Sequence, residues 1–266
     1  MSARKLLFEF EDQKWFPDVI RSGMTDYLRY LLTALNFYKP VSPLILEVLS
    51  KTNSTTLIDL CSGGGGAIEQ VYNDLREQSN EITVVVTDKF PNLEAYRFLE
   101  RKSSGRILYS EKSVDASDVP SELKGVRTIF SGFHHFDPDF AKSVLKNAVD
   151  SRSGICIFDG GNKSIWMILG AIFIHPILFF IFTPFFRPFR FSRILFTYLI
   201  PLIPLCTMWD GVVSIIRLYK PDELLKLTSE LSDNYCWRSG KVGSSYGLQV
   251  TYLIGYPDHS FENKIK

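Results

Sequence analysis

At 266 residues the chain has room for one α/β domain of ordinary size plus an insertion. Its net charge of +1 lacks the basic excess expected of a nucleic-acid partner. The four cysteines, Cys61, Cys156, Cys206 and Cys236, stand far apart with no metal-ligand spacing, so they read as buried free thiols in a reducing compartment and no metal is expected.

Residues 1–55 read as an N-terminal helical lid. Arg4 and Lys5 are followed by Glu9, Glu11 and Asp12 too soon for an apolar leader, so no cleavable signal peptide is expected. Thr25 or Asp26 starts a helix with Tyr27, Leu28, Leu31, Leu32 and Leu35 at helical spacing, and Pro40 and Pro43 stop it. The lid either packs on a sheet edge or brings Trp15, Tyr27 or Tyr30 to a site. A short helix over Pro43–Leu49 then leads into the first strand.

The stretch Thr56–Ala67, TLIDLCSGGGGA, is an apolar run ending in four glycines, with a helical pattern (Ile68, Val71, Tyr72, Leu75) beyond it. Strand, tight turn and helix start together form a nucleotide-sized cradle, because glycine lets backbone approach a ligand closely. Further strands are predicted at Glu81–Thr87, Arg106–Ser110, Val126–Ser131 and Gly154–Phe158. Helices over Leu93–Arg101 and Phe140–Val149 lie between them. A helix from Pro221 and two last strands, Tyr235–Val242 and Leu248–Tyr256, complete a doubly wound, mostly parallel α/β sheet of seven strands. Residues 56–164 are the core, 165–208 an apolar insertion after the fifth strand, and 209–266 the rest of the core.

Ligands of such sheets bind beyond the carboxyl ends of the strands. There the sequence places Gly63, Gly64 and Gly65, then Asp88 with Lys89 and Phe90, then Asp115 with Ala116, and finally Ser131 to His135 and Asp159. A carboxylate at Asp88 suits a ribose diol, and one at Asp115 suits an exocyclic adenine amine. This arrangement resembles the class I S-adenosylmethionine (SAM)-dependent methyltransferases, Rossmann-like enzymes whose first strand ends Asp-x-Gly-x-Gly-x-Gly. Here the frame reads Asp59, Cys61, Gly63, Gly65, with Cys61 in the first glycine's place. The resemblance implies SAM as cofactor, Asp88 on its ribose, and Asp115 with Ala116 on its adenine. It also implies that Ser131 to Phe136 (SGFHHF), with Ser131 and Gly132 as its cofactor contacts, lies beside the methionine part. A dinucleotide fingerprint fits less well, since Ile68 falls at its third glycine. A Gly-Lys-Ser/Thr phosphate loop is absent from the sequence. A non-catalytic, membrane-associated binding protein of the same fold is the other reading.

Methyl transfer from a sulfonium asks for alignment, exclusion of water and, where needed, removal of the acceptor's proton. His134 and His135 are the candidate bases or pocket walls, with Asp159 and Asp210 behind them. From Ile165 to Met208 there is no acid, and the charges are Arg187, Arg190 and Arg193, while nine of the 21 phenylalanines fall in this stretch. Ser164–Phe186 is long enough to span a bilayer and Ile194–Trp209 is shorter. Pro176, Pro184, Pro188, Pro201 and Pro204 are expected to break both into short helices. A hairpin lying in the interface of a membrane's cytoplasmic face, arginines near lipid phosphates, is the preferred reading. A soluble lid or an oligomer surface in the cytoplasm is the alternative. Beside the site, the insertion points to a hydrophobic or membrane-borne acceptor.

Overall fold

The computed structural model describes residues 7–186, 189–232, 234–243 and 249–258. Its β-branched runs form a seven-stranded sheet in the order β3-β2-β1-β4-β5-β7-β6. β1 (Thr56–Asp59), β2 (Thr83–Val86), β3 (Ile107–Tyr109), β4 (Val126–Phe130) and β5 (Ile155–Gly160) are parallel. β6 (Tyr235–Gly243) and β7 (Gln249–Pro257) close the sheet antiparallel. Every residue of β4 is buried, as expected of a central parallel strand covered on both faces. The strand order reverses between β1 and β4, so the crevice for a ligand opens at their carboxyl ends.

One face carries α2 (Ser42–Lys51), α3 (Gly66–Arg76) and α4 (Leu93–Lys102) over a core including Ile45, Leu57, Val71, Val84 and Tyr96. The other carries α5 (Pro138–Asp150) and α9 (Pro221–Thr228) over Ile58, Ile129, Val144, Leu224 and Leu253. A third apolar cluster joins α1 (Asp18–Ala34) to α6 (Ile165–Phe182) and α8 (Leu202–Arg217) through Met24, Tyr27, Phe179, Phe186 and Ile203.

Three expectations need correction. α1 begins at Asp18, directly after Pro17, and not at Thr25 or Asp26, which lie in its interior. It also ends before the prolines: Asn36 turns into the left-handed region at φ 46°, and the chain leaves the helix there. Nor does Pro176 break the insertion's first half, for α6 runs through it for 18 residues. The second half is broken at Pro201 as expected, whereas Pro204 lies within the first turn of α8 and does not break it. α7 (Phe191–Ile194) and a π-turn over Leu195–Leu199 meet α8 at 77° beside Pro201. Arg187, Pro188 and Leu248 lie outside the described residues, as do Arg4 and Lys5.

Candidate functional site

The loop after β1 is shaped by three left-handed residues, Cys61, Gly63 (φ 51°) and Gly65. Cys61 has φ 58°, the conformation for which glycine is the usual residue, so the thiol-bearing residue at the frame's first glycine adopts a glycine-like backbone. Gly65 has φ 71°, and a Cβ there would sit 2.2 Å from Leu99 Cδ1, so α4 packs directly against the turn. At Gly63 and Gly64 the situation reverses: a Cβ on either would meet nothing within 4 Å. Those two glycines border open space above the strand tips.

Asp59 lies beneath that space and is spoken for. Its Oδ1 accepts from Thr128 Oγ1 at 2.6 Å and its Oδ2 from Ser62 Oγ at 2.6 Å. Burial pushes its carboxyl up to about 7 against the pull of the Ser62 and Thr128 hydrogen bonds. Asp59 thus holds the loop to β4 from below, and the geometry gives it no face toward a ligand.

Asp88, at the tip of β2, does face the opening. Its Oδ2 accepts from Gly63 N at 3.0 Å and its Oδ1 from Phe90 N at 2.8 Å. Burial raises its carboxyl, opposed by the backbone hydrogen bonds from Phe90, Gly63 and Lys89. Asp115 follows β3, where Val114 N donates to Asp88 O at 2.9 Å and so ties the two tips together. Burial would raise Asp115, but Lys89 Nζ at 2.9 Å and the Ser117 hydroxyl and N–H hold its carboxyl down to about 2. Ala116 is buried beside it. Asp88, Lys89, Asp115 and the glycine turn therefore form one continuous rim, and the exposed Phe90 ring stands at its edge.

The opposite rim comes from β4 and β5. Ser131 (φ 49°) sits at the tip of β4, its N–H donating to Phe158 O at 2.8 Å and its hydroxyl 2.5 Å from Tyr38 Oη. Gly132 approaches the Cys61 side chain, since a Cβ there would lie 3.4 Å from Cys61 Cβ. The one-turn helix Phe133–His135 then carries both histidines. His134 is buried, and its Nδ1 donates to Asp159 Oδ1 at 3.0 Å. In the neutral imidazole, a proton on Nδ1 shared with the Asp159 carboxylate leaves the lone pair on Nε2.

His135 has a different environment, one that residues 7–16 create. This segment crosses the site as a strap, held where Asp210 of α8 accepts from Phe10 N (2.8 Å) and Glu11 N (3.1 Å). It lays Glu9 Oε2 2.9 Å and Asp12 Oδ1 3.1 Å from His135 Nδ1. Burial pulls the imidazole down, but its hydrogen bonds to Asp12 and Glu9 and their charges hold it well above its ordinary value. Arg217 completes the cluster, 3.2 Å from Glu9 and 3.1 Å from Asp12, with a further bond to the His135 carbonyl at 2.6 Å. Glu9 and Asp12 thus face one imidazole and one guanidinium, with the carboxyl groups of Glu11 and Asp210 alongside.

Pattern and spacing alone pointed to no metal cluster. The fold nevertheless gathers Glu9, His134 and His135 with their ligand atoms within 4.8 Å of one another. The guanidinium of Arg217 already fills the cation's role there, which disfavours a divalent ion. The lid's aromatic residues also fall elsewhere: Tyr27 stacks on Phe179 at 3.9 Å and Tyr30 contacts Phe182 and Phe186, all in or just beyond α6. Trp15 packs on Phe10 and Phe16. The lid residues that reach the site include Tyr38, Glu9, Asp12 and Arg29, the last packed on Gly66 of the glycine turn. The run FEFED, with acids two and three apart on a short aromatic strap, was the available signal for the last two.

No protein-family model matches the sequence, and no curated protein matches it. Solved structures match in fold. The human N-acetylserotonin methyltransferase in complex with SAM aligns with a TM-score of 0.53 at 10% identity, over 96% of this chain and 64% of that one. An O-methyltransferase from neocarzinostatin biosynthesis, solved with SAM and 2-hydroxy-5-methyl naphthoic acid, aligns at 0.50 with 15% identity, over 89% and 58% respectively. The chain thus spans about three-fifths of the length of either protein. Its fold is that of the class I SAM-dependent methyltransferases.

Proposed function

We propose that this chain is a SAM-dependent methyltransferase acting on a hydrophobic or membrane-borne small molecule. The observation that carries the reading is the open space over Gly63 and Gly64, bordered by a carboxylate, Asp88, that the glycine turn itself orients. A nucleoside fits that cradle. Asp88 keeps an acceptor position on each oxygen for a ribose diol, and Asp115 and Ala116 line the place for an adenine. Ser131 and Gly132 border the sulfur end. Bound there, SAM supplies a methyl group on a leaving group that is already positively charged.

The chain's own residues then have three tasks. The turn and the acids align the donor, and the strap with Tyr38 screens the pocket from water. The third task falls to His134: its Nε2 takes the acceptor's proton as the new bond forms, and Asp159 holds the ring and stabilises the imidazolium. His135, kept protonated by Glu9 and Asp12, positions the strap and is not a base. An acceptor with an ionisable proton, such as a hydroxyl, suits this arrangement. The α6–α8 insertion follows β5 directly, so its apolar surface lies on the acceptor's route, which favours a lipid-like molecule met at a membrane's cytoplasmic face.

Isothermal titration of the full chain with SAM tests the reading. Saturable one-to-one binding is expected, with S-adenosylhomocysteine competing. A titration with no heat change and no competition at millimolar nucleoside would overturn it.

A further inference from the structure

Outside the candidate site, the largest departure from a water-soluble surface is an apolar face that the insertion does not build alone. α6 turns Trp166 (78% exposed), Phe173 (64%), Ile177 and Phe180 outward along one side, while Ala171 and Phe179 point into the protein. Phe191 and Leu199 (each 75% exposed), with Leu202 and Leu205 of α8, continue the face. The strap then extends it. Phe8 packs on Trp209 at 5.6 Å and Trp209 Nε1 donates to Phe8 O at 3.0 Å, with the exposed Trp15 and Val19 nearby. The insertion's seven exposed aromatic residues, rather more than half open at about 200 Å² each, present on the order of 800 Å². That exceeds the largest patch of an ordinary soluble monomer.

Its edge is cationic. Where α1 and α4 meet the end of α6, a cleft of about 580 Å³ that reaches Gly64 of the glycine turn is lined by Arg29, Arg101, Lys102, Phe185 and Arg190. The cleft's carboxylates are already engaged: Asp26 by Arg29 and Arg193, Glu69 by Lys102, and Glu94 by Arg190. Among the described residues no carboxylate pairs with Arg101. The stretch Ile165–Phe185 has a mean hydropathy of 2.4 and is 11% buried, long and apolar enough to cross a bilayer. Its attachment argues against crossing. Tyr27 of α1 stacks on Phe179, Ile203 of α8 packs within the space of Gly23, and α1 lies against α3 behind the glycine turn. α6 lies along α8, its Phe179 stacks on Tyr27 of α1, and α8 itself packs on α1, so the hairpin is folded against the N-terminal helix and not projected from the domain as a span.

We infer that this face is a membrane-docking surface: the protein lies on a bilayer with α6 in the interfacial plane, its aromatic side chains among the acyl chains and Arg101 and Arg190 near anionic headgroups. A water-facing face of this size would cost solubility. In a symmetric dimer the face would meet itself, and Ile165–Met208 holds no acid to complement its arginines, whereas anionic lipid does. The inference rests on the proposed acceptor for its purpose but not for its evidence, so failure of SAM binding would leave it standing.

Flotation of the full chain with phosphatidylcholine–phosphatidylglycerol vesicles tests it. The protein is expected to float, and a Phe173→Glu, Ile177→Glu, Phe180→Glu triple variant, altered at exposed positions, should keep its melting temperature and lose partitioning about tenfold or more. Brominated lipid should quench single-tryptophan proteins retaining Trp166 or Trp209, and not one retaining Trp237 of β6. Three results would overturn the inference: protein left in the soluble fraction, flotation unchanged in the triple variant, or a soluble dimer that buries the face and ignores vesicles.

Discussion

Removing one carboxylate separates a nucleoside site from a merely structural loop. In Asp88→Ala the ribose partner is lost, and the size of the effect follows from the hydrogen bonds already in place. Each carboxylate oxygen accepts one backbone N–H, from Gly63 at 3.0 Å and Phe90 at 2.8 Å. One acceptor position on each remains for a diol. Two charge-assisted bonds at about 1.5 kcal/mol each sum to about 3 kcal/mol, or on the order of 150-fold in Kd. Titration calorimetry with SAM at neutral pH reads this directly, with the melting temperature as a check that the turn still folds. Only the ionised carboxylate accepts both hydroxyls, and burial has raised this group. Wild-type affinity should therefore fall on acidification through that raised pKa, and the variant should lose the dependence. A folded Asp88→Ala protein binding SAM within about threefold of wild type would refute the reasoning.

Three further outcomes follow from other parts of the site. His134→Gln should lower kcat by about 10²–10⁴ with SAM affinity unchanged, and Asp159→Asn should lower it in the same direction; a matched loss of SAM affinity would mean a wall, not a base. Gly65→Ala forces a left-handed alanine into Leu99 and should cost about 2 kcal/mol or more in urea unfolding, whereas an unshifted midpoint would show that the turn relaxes. His135 has a folded pKa above its unfolded value, so its stabilisation is complete below the ordinary histidine range and is lost as pH rises through the folded pKa. Limited proteolysis of the strap should accelerate on that alkaline side, and in His135→Gln the acceleration should vanish.

How much of this was legible in the sequence depends on how far apart the partners lie. The glycine turn, the strands and Asp88 and Asp115 at their tips are local patterns, and each stood within a few residues of its expected place. The loop's underpinning was only half legible: Asp59 reads as part of the fingerprint, yet its bond to Thr128 spans 69 residues and turns it into a structural anchor. The strap's acids stood in view in the run FEFED, but their partners did not, for the same reason. Glu9 and Asp12 meet Arg217 across about 205 positions, and no periodicity links a ten-residue segment to a helix that far away. The same long reach separates the two histidines. Adjacent in sequence, they look interchangeable, and only the fold gives one an orienting aspartate and the other a cage of two acids.

The insertion shows a different limit. Composition announced an apolar segment but not its inner side, because a helix that is apolar all round carries no amphipathic stripe to orient it. The orienting information lay in small residues instead. Gly23 of α1 leaves room for Ile203 of α8, where a Cβ would sit 2.4 Å from Ile203 Cδ1, and Ala171 of α6 is the small residue that a Cβ on Gly211 of α8 would just touch at 3.7 Å. Those gaps let three helices close to contact distance and fix which aromatic side chains stack inward, Phe179 on Tyr27 among them. Every ring on the far side is then turned out by geometry and not by its own chemistry. Filling a gap, as in Gly23→Leu, should therefore act on the docking face without touching a residue of it.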